Sequence, residues 1–309
     1  MKYSKDFLIL LFFLFFFLTN TKALENKIEI KIENEIITTL DIVNEINYLN
    51  ILSVNFNMMD YNQKYVAAKE SLIREKVKKI EINKFNNQNL ESSILKELVE
   101  KTYKNIGFES LKNFEKHLNS NSLTLEMIKQ KITIEALWNQ IIFSKFSSKI
   151  NIEEDKIKQE VLKNGNNKSI FYNLSEILIN IENLKDKSEK IDLINNEINK
   201  NGFENAALLY SASETSKLGG KIGWVNLNAI NQKIKNSLLN LNIGDTTDAI
   251  FSSTGFLILK INDIKEEEIK TNLDEEVQKL INVKKNQQLN QFSIIYFKKL
   301  RKNLKIDEI

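Results

Sequence analysis

The residues able to do chemistry in this 309-residue chain are few, and what is missing narrows the reading first. There is no cysteine and no proline, and the one histidine is His117. No His/Cys cluster can hold zinc, no disulfide can form, and no Ser-His pair lies within a plausible site. His117 lies among Leu111, Phe114 and Leu118, which mark a short helix, so it reads as a solvated helix residue. Gly219-Gly220-Lys221 lacks the spacing of a phosphate-binding loop and runs straight into an apolar strand. The remaining side chains of interest are a carboxylate, Glu176, a Ser213-Glu214 pair, and an aliphatic set at Ile222, Ile230 and Ile234.

Several elements must position these groups. From Leu218 to Lys260 the order is a Gly-Gly turn, a short strand with Ile222 and Trp224, and a helix with Ile230, Ile234, Leu238 and Leu241. A Gly244-Asp245 turn, a short strand at Ile250 and a Thr254-Gly255 break into a strand from Phe256 to Ile261 complete the run. The chain has only eight glycines, and Gly219, Gly220 and Gly223 lie within five residues of one another, which predicts positive φ and close backbone approach.

Residues 1–23 have the form of a cleaved signal peptide: Lys2 and Lys5, an unbroken apolar run from Phe7 to Leu18, and Thr21-Lys22-Ala23 before the cut. Twelve apolar residues are short of the ~20 that span a bilayer. The other outcome is an uncleaved inner-membrane anchor. The leader carries three lysines and one aspartate, so its removal lowers the formal net charge of +3 to near neutrality. Nucleic acid is therefore not an expected partner. An exported chain without a lipid-attachment cysteine is expected to be periplasmic.

Toward the N-terminus, Ile28, Ile30 and Ile32 alternate with charged residues, Asn34-Glu35 offers a turn, and Thr38 or Thr39 can cap a helix that begins near Asp41. A long helix is expected from Tyr61 to Phe85, with Val66, Leu72, Ile73, Val77 and Ile80 inward and Arg74, Lys78 and Lys79 wet. Further helices follow: Leu90–Lys104 with Ile94, Leu95, Leu98 and Val99 inside, a short one after Gly107, one capped by Ser122 and running to Ser148, and a connecting helix Glu153–Lys163. A last helix is expected over Glu266–Asn303, acidic at its start and basic at its end, as the helix dipole favours.

The Leu218–Lys260 string resembles the second half of a parvulin-type peptidyl-prolyl isomerase domain. Gly219-Gly220-Lys221-Ile222-Gly223-Trp224, Leu241-Asn242-Ile243-Gly244-Asp245 and Thr254-Gly255-Phe256-Leu257-Ile258-Leu259-Lys260 follow that family's pattern in order. Asn173 to Ile179 and Phe203 to Ser211 stand where the family has its first strand and a helix. The strand-turn-strand-cap opening and the Ser71-Leu72-Ile73-Arg74-Glu75 segment resemble the N-terminal domain of SurA-type periplasmic chaperones. The resemblance implies an α+β fold: a mainly helical module over 24–165, completed by a C-terminal helix in 266–309, with a parvulin-like domain of one small antiparallel sheet and surrounding helices inserted at 168–265. Chaperones of this type can carry two parvulin domains; here there is room for one.

The same resemblance assigns roles. Parvulins place two histidines on the floor of the site, an acid or cysteine beside it, and an apolar set around the proline ring. Here the histidine positions carry Glu176 and Leu257, and the acid position falls at Ser213. The ring-holding positions fall at Ile222, Ile230 and Ile234, with Trp224 and Phe256 beside them. A glutamate on a half-buried strand is expected to rise in pKa or to take a basic partner. Two functions of different class follow. One is a holdase for unfolded or extended polypeptides, outer-membrane proteins in transit above all, close to the membrane at times, needing no cofactor, and gripping its client in a groove between the helical module and its last helix. The other is an active isomerase that speeds proline-limited folding. The loss of both histidines favours the first.

Overall fold

The fold was analysed in a computed structural model, which describes residues 26–53, 55–85, 89–163, 168–180, 187–252, 254–268 and 273–309. The leader at 1–23 lies outside the described residues. Among the described residues, no helix is long and apolar enough to cross a membrane.

The chain opens as a hairpin, β1 (Ile28–Ile32) and β2 (Glu35–Thr38), paired antiparallel. Alternation puts Ile30, Ile32 and Ile37 fully inside. Helix α1 (Thr39–Leu52) starts at a capping box: the Thr38 side chain accepts from the Asp41 amide, and the Asp41 carboxylate accepts from the Thr38 amide. Helix α2 (Tyr61–Ile82) lies against α1, and α3 (Ser92–Ile106), α4 (Leu111–Ser120) and α5 (Leu125–Phe146) build the module outward. Gly107 ends α3 in the left-handed region at φ 103°, where a side chain would be strained.

Several expected details differ. The cap of α5 is Thr124, because Ser122 itself takes a left-handed φ of 59° in the preceding turn. Val66 is half exposed and Ile94 is 39% exposed, each at the edge of its apolar stripe rather than in it. Lys78, expected to be wet, is fully buried among acidic partners.

Helix α6 (Glu154–Lys163) leads into the second unit. Its sheet has the order β4-β3-β6-β5, built from β3 (Lys168–Ile179), β4 (Lys221–Asn226), β5 (Ile250–Ser252) and β6 (Gly255–Glu268), all antiparallel. Helices α7 (Lys187–Asn201) and α8 (Phe203–Tyr210) cover one face, where Ile177, Ile179 and Ile258 meet Ile194, Phe203 and Ala206. On the other face Tyr172, Leu174, Leu259 and Ile261 pack with Leu238 of α9 (Gln232–Leu238).

Strand β6 continues to Glu268, past the point where a helix was expected to start. Glu266, Glu267 and Glu268 pair across to Ile170, Ser169 and Lys168 in register. The final helix, α10, spans Leu273–Asn303, and the acids of its first turn are Asp274, Glu275 and Glu276. It returns to the helical module. Trp138 of α5, 1% exposed, donates its Nε1–H to Ser293 Oγ at 2.8 Å and stacks on Tyr296 at 5.7 Å. The Arg301 guanidinium grips the Glu70 carboxylate with both nitrogens, at 2.8 and 3.1 Å. A short strand not expected from sequence, β7 (Ile306–Glu308), pairs with β1 and makes a three-stranded sheet, β2-β1-β7. The α+β architecture, a helical module closed by its C-terminal helix around an inserted antiparallel sheet unit, is as expected.

Candidate functional site

Glu176 sits on β3, half-buried, paired with Leu259 of β6 and one residue past the stretch that pairs with β4. The Gly-Gly turn fixes its surroundings. Gly219, Gly220 and Gly223 all have positive φ, and the Gly220 carbonyl accepts from the Glu176 amide at 2.8 Å. A Cβ on Gly220 would come 2.3 Å from the Glu176 carbonyl oxygen, so this approach is open to glycine alone.

Just before that turn, a single 3-10 segment, Glu214–Leu218, is capped by Ser213. The cap brings two hydroxyls onto the carboxylate: Ser213 Oγ donates to Glu176 Oε1 at 2.5 Å and Thr215 Oγ1 donates to the same oxygen at 3.0 Å. Instead of the expected basic partner, Glu176 therefore takes neutral hydroxyls. Thr215 carries no sequence signal as a partner beyond lying two residues past Ser213.

Leu257 lies on β6 opposite Leu178 and Ile250. Its side chain packs in the same apolar cluster as Ile230 and Ile234, all three half-buried, with Tyr172 and Leu259 beneath. The structure thus brings Leu257, Ile230 and Ile234 together. It does not bring Ile222, Trp224 or Phe256 to them. Ile222 and Trp224, each about 40% exposed on edge strand β4, line a separate cleft against α10. Phe256 points to the opposite face and is buried with Ile177, Ile194 and Phe203 under α7 and α8. The reason is the twofold period of a strand: Phe256 and Leu257 are neighbours, so only one of them can face the site.

Beside the hydroxyl–carboxylate set lies an ionic cluster that the sequence did not reveal, built around fully buried Lys78 with Glu135 and Glu214 each about a third exposed. Lys78 Nζ reaches Glu135 Oε2 at 2.6 Å and Glu214 Oε1 at 2.8 Å, and Lys217 Nζ reaches Glu135 Oε1 at 3.2 Å. Burial by itself would raise the Glu135 carboxyl; Lys217 and Lys78 overcome that and hold it down at about 2. Burial likewise opposes the charge on Lys217, and Glu135 and Glu214 reverse it and push the ammonium upward. One layer deeper, Lys131 lies 2.5 Å from both Glu45 and Glu75, and Ser71 Oγ donates to Glu45 at 2.6 Å. Two of the partners, Glu214 and Lys217, belong to the sheet unit's 3-10 segment, while Lys78 and Glu135 belong to the helical module. The Arg74 guanidinium also donates to the Ser211 carbonyl at 3.1 Å, and Leu208 of α8 is buried in the core of the helical module. The segment beside Glu176 is therefore clamped between the two units.

Crossing the X-Pro barrier of ~18–20 kcal/mol needs groups that hydrogen-bond the twisting amide beside an apolar seat. Ile230, Ile234 and Leu257 form a half-buried apolar group. Leu257 neither donates nor accepts, the Ser213 and Thr215 protons are committed to Glu176, and no imidazole is near. Among the described residues there is no group of His, Cys, Asp and Glu arranged to hold a metal ion.

Against this geometry stand the relatives. The rotamase family, described as the PPIC-type PPIASE domain, matches this chain over residues 170–263. Residues 170–263 are a rotamase domain of the PPIC type. The chain is also similar to SurA-type proteins. It is 23% identical over 154 residues to the chaperone SurA of Chromobacterium violaceum, covering 47% of this chain and 36% of that one. It is 26% identical over 198 residues to the foldase protein PrsA of Staphylococcus aureus, covering 60% of this chain and 57% of that one. Among solved structures it is similar to a SurA-like chaperone of Campylobacter jejuni, at 17% identity over 92% of this chain and 99% of that one, with a TM-score of 0.33. The chain matches only 36% and 38% of the length of the first two SurA relatives. Glu176 and Leu257 both fall inside the rotamase match, so the domain is present while its floor lacks imidazoles.

Proposed function

We propose that this chain is an exported folding factor that binds unfolded, extended polypeptides, and that its rotamase domain does not accelerate X-Pro isomerisation. The observation that carries the second half is the floor of the domain: a carboxylate held by Ser213 and Thr215 on one side and Leu257 on the other. Similarity to SurA and PrsA proteins supports the first half, as does a chain in which two units hold a cleft between them. Outer-membrane proteins in transit through the periplasm are the proposed clients. Export rests on the leader at residues 1–23, cut after Ala23, and a mass measurement of the N-terminus of the secreted chain tests it. Units over 24–165 and 266–309 on one side, and 168–265 on the other, are the proposed division, with the last strand of the second reaching Glu268.

Two assays test this function. Purified residues 24–309 are expected to leave the isomerisation rate of short X-Pro peptides at its spontaneous value, a relaxation of tens of seconds or longer. The same sample is expected to suppress aggregation of a urea-unfolded outer-membrane β-barrel protein at near-equimolar ratio. A clear acceleration that Ile234→Asp abolishes would make the chain an active isomerase, the reading that the family match by itself favours, and would show that imidazoles are dispensable here.

A further inference from the structure

Between the rotamase domain and helix α10 runs an open cleft of about 750 Å³. One wall is apolar: Phe171 from β3, with Ile222 and Trp224 from β4. Lys265 lies over both aromatic rings, 5.6 Å from Phe171 and 4.5 Å from Trp224. The other wall is α10, which brings Glu276, Lys279 and Val283 and a row of carboxamides, Asn282, Asn286 and Asn290, spaced four residues apart and so stacked along one face of the helix. All three asparagines are exposed.

Three observations say what such a cleft accepts. First, β4 is the edge of its sheet: it pairs with β3 only, and among the described residues nothing pairs with its outer side. The cleft touches Trp224, Val225 and Asn226 in succession. Successive strand residues face opposite ways, so the cleft, which overlies the sheet face at Ser169, Phe171 and Glu267, also reaches the outer edge of β4. Second, α10 already grips extended main chain with a carboxamide. Gln288 Oε1 accepts from the Asn151 amide at 3.0 Å and Gln288 Nε2 donates to the Asn151 carbonyl at 2.7 Å, in the non-helical stretch ahead of α6. Third, an Asn side chain offers the same donor–acceptor pair as Gln, which matches the N–H and C=O that one extended residue turns to one side.

We propose that this cleft is the polypeptide-binding site. An extended segment of neutral, alternately apolar sequence pairs along the outer edge of β4, lays its apolar side chains on Phe171, Ile222 and Trp224, and offers its other backbone edge to Asn282, Asn286 and Asn290. The inference rests on the polypeptide-binding reading above and gives that reading a location and a binding mode. Backbone pairing supplies the affinity and the apolar wall the preference, so the site accepts many sequences of one pattern.

The probe is a fluorescein-labelled, amidated heptapeptide of alternating threonine and phenylalanine. A second copy carries N-methyl groups on alternate amides, which removes donors and leaves side chains in place. Two readouts run together: anisotropy of the label, which reports binding anywhere, and emission of Trp224, which reports the cleft, since Trp138 is buried. The proposal expects saturable changes in both, at least tenfold weaker binding of the methylated peptide, and at least tenfold weaker binding to the Asn282→Leu/Asn286→Leu/Asn290→Leu chain. Those three positions are exposed on a helix, and an unchanged thermal midpoint verifies the fold. Tighter binding by the leucine chain would mean mere apolar adhesion and would overturn the proposal. Anisotropy that rises with Trp224 emission unmoved would overturn the location while polypeptide binding stands. No peptide binding, with aggregation suppression intact, would also overturn the cleft alone. Failure of both would sink the two together.

Discussion

Two of the contacts between the rotamase domain and the helical module are opposite in kind. Around Glu176 and the 3-10 segment Glu214–Leu218 the contact is sealed: fully buried Lys78 holds carboxylates from both units, Arg74 donates to the Ser211 carbonyl, and Leu208 enters the module's core. Around Trp224 and α10 the contact is open, with large apolar side chains about 40% exposed beside exposed carboxamides. The sealed side spends its polar groups on one another, while the open side leaves them for a partner. Glu176, which the proposed function places on an idle floor, lies on the sealed side, and the proposed peptide cleft lies on the open one.

The largest expected effect breaks the sealed side. Lys78→Met removes the direct ion-pair partner of Glu214 and leaves Lys217 alone to face both Glu214 and Glu135, and removing one partner of a buried ionic set costs ~3–5 kcal/mol. Urea denaturation measures it, and a loss under about 1 kcal/mol would mean that the contact is not sealed at all. Next comes acid. The carboxyl of Glu135 is held at about 2 in the folded chain against an ordinary 4.5. Its folded value is depressed, so its contribution is fully present above about pH 4.5 and disappears as pH falls toward 2. Discounted for a side chain about a third exposed, the contribution is on the order of 1–2 kcal/mol. Glu135→Gln should flatten stability across that window in denaturation runs at a series of pH values.

A smaller effect probes the hydroxyl set. Glu176→Ala takes the acceptor from Ser213 and Thr215 and is expected to cost about 1–3 kcal/mol while leaving the X-Pro rate unchanged. A change in that rate would make the carboxylate part of a working site. The smallest effect belongs to the open side. Trp224→Ala, at an exposed edge-strand position, should shift stability by no more than ~0.5 kcal/mol yet weaken peptide binding, as anisotropy would record. A large loss of stability there would mean that the open wall is structural.

Local rules made much of this fold legible. The hairpin, the Thr38 cap and the order of strand, helix and strand after Gly219 are set by alternation, capping chemistry and glycine conformation, each decided within a few residues. What stayed hidden depends on distant partners. Lys78 sits on a helix whose neighbouring lysine, Lys79, is well exposed, and only Glu135 and Glu214, contributed by other elements, make burial of its charge tolerable. Strand alternation announces that Phe256 and Leu257 face opposite ways but not which one faces the site. The run Glu266–Glu268 reads as a helix start because acids suit one, and it is a strand because β3 supplies its pairing partners. The hydroxyl partners of Glu176 were half legible: Ser213 stood at the acid position, whereas Thr215 matters only through the turn that Ser213 caps.

The pairing of Lys168 with Glu268 has one more consequence. Strands β3 and β6 enter and leave the rotamase domain side by side, at the ~5 Å spacing of paired strands. Seen from the helical module, the whole domain is a loop whose mouth is as narrow as that of a tight turn. A domain attached in this way can be exchanged, duplicated or lost without rerouting the chain that carries it. Its host constrains it only through the surfaces they share, so its floor is free to drift while its outline is kept.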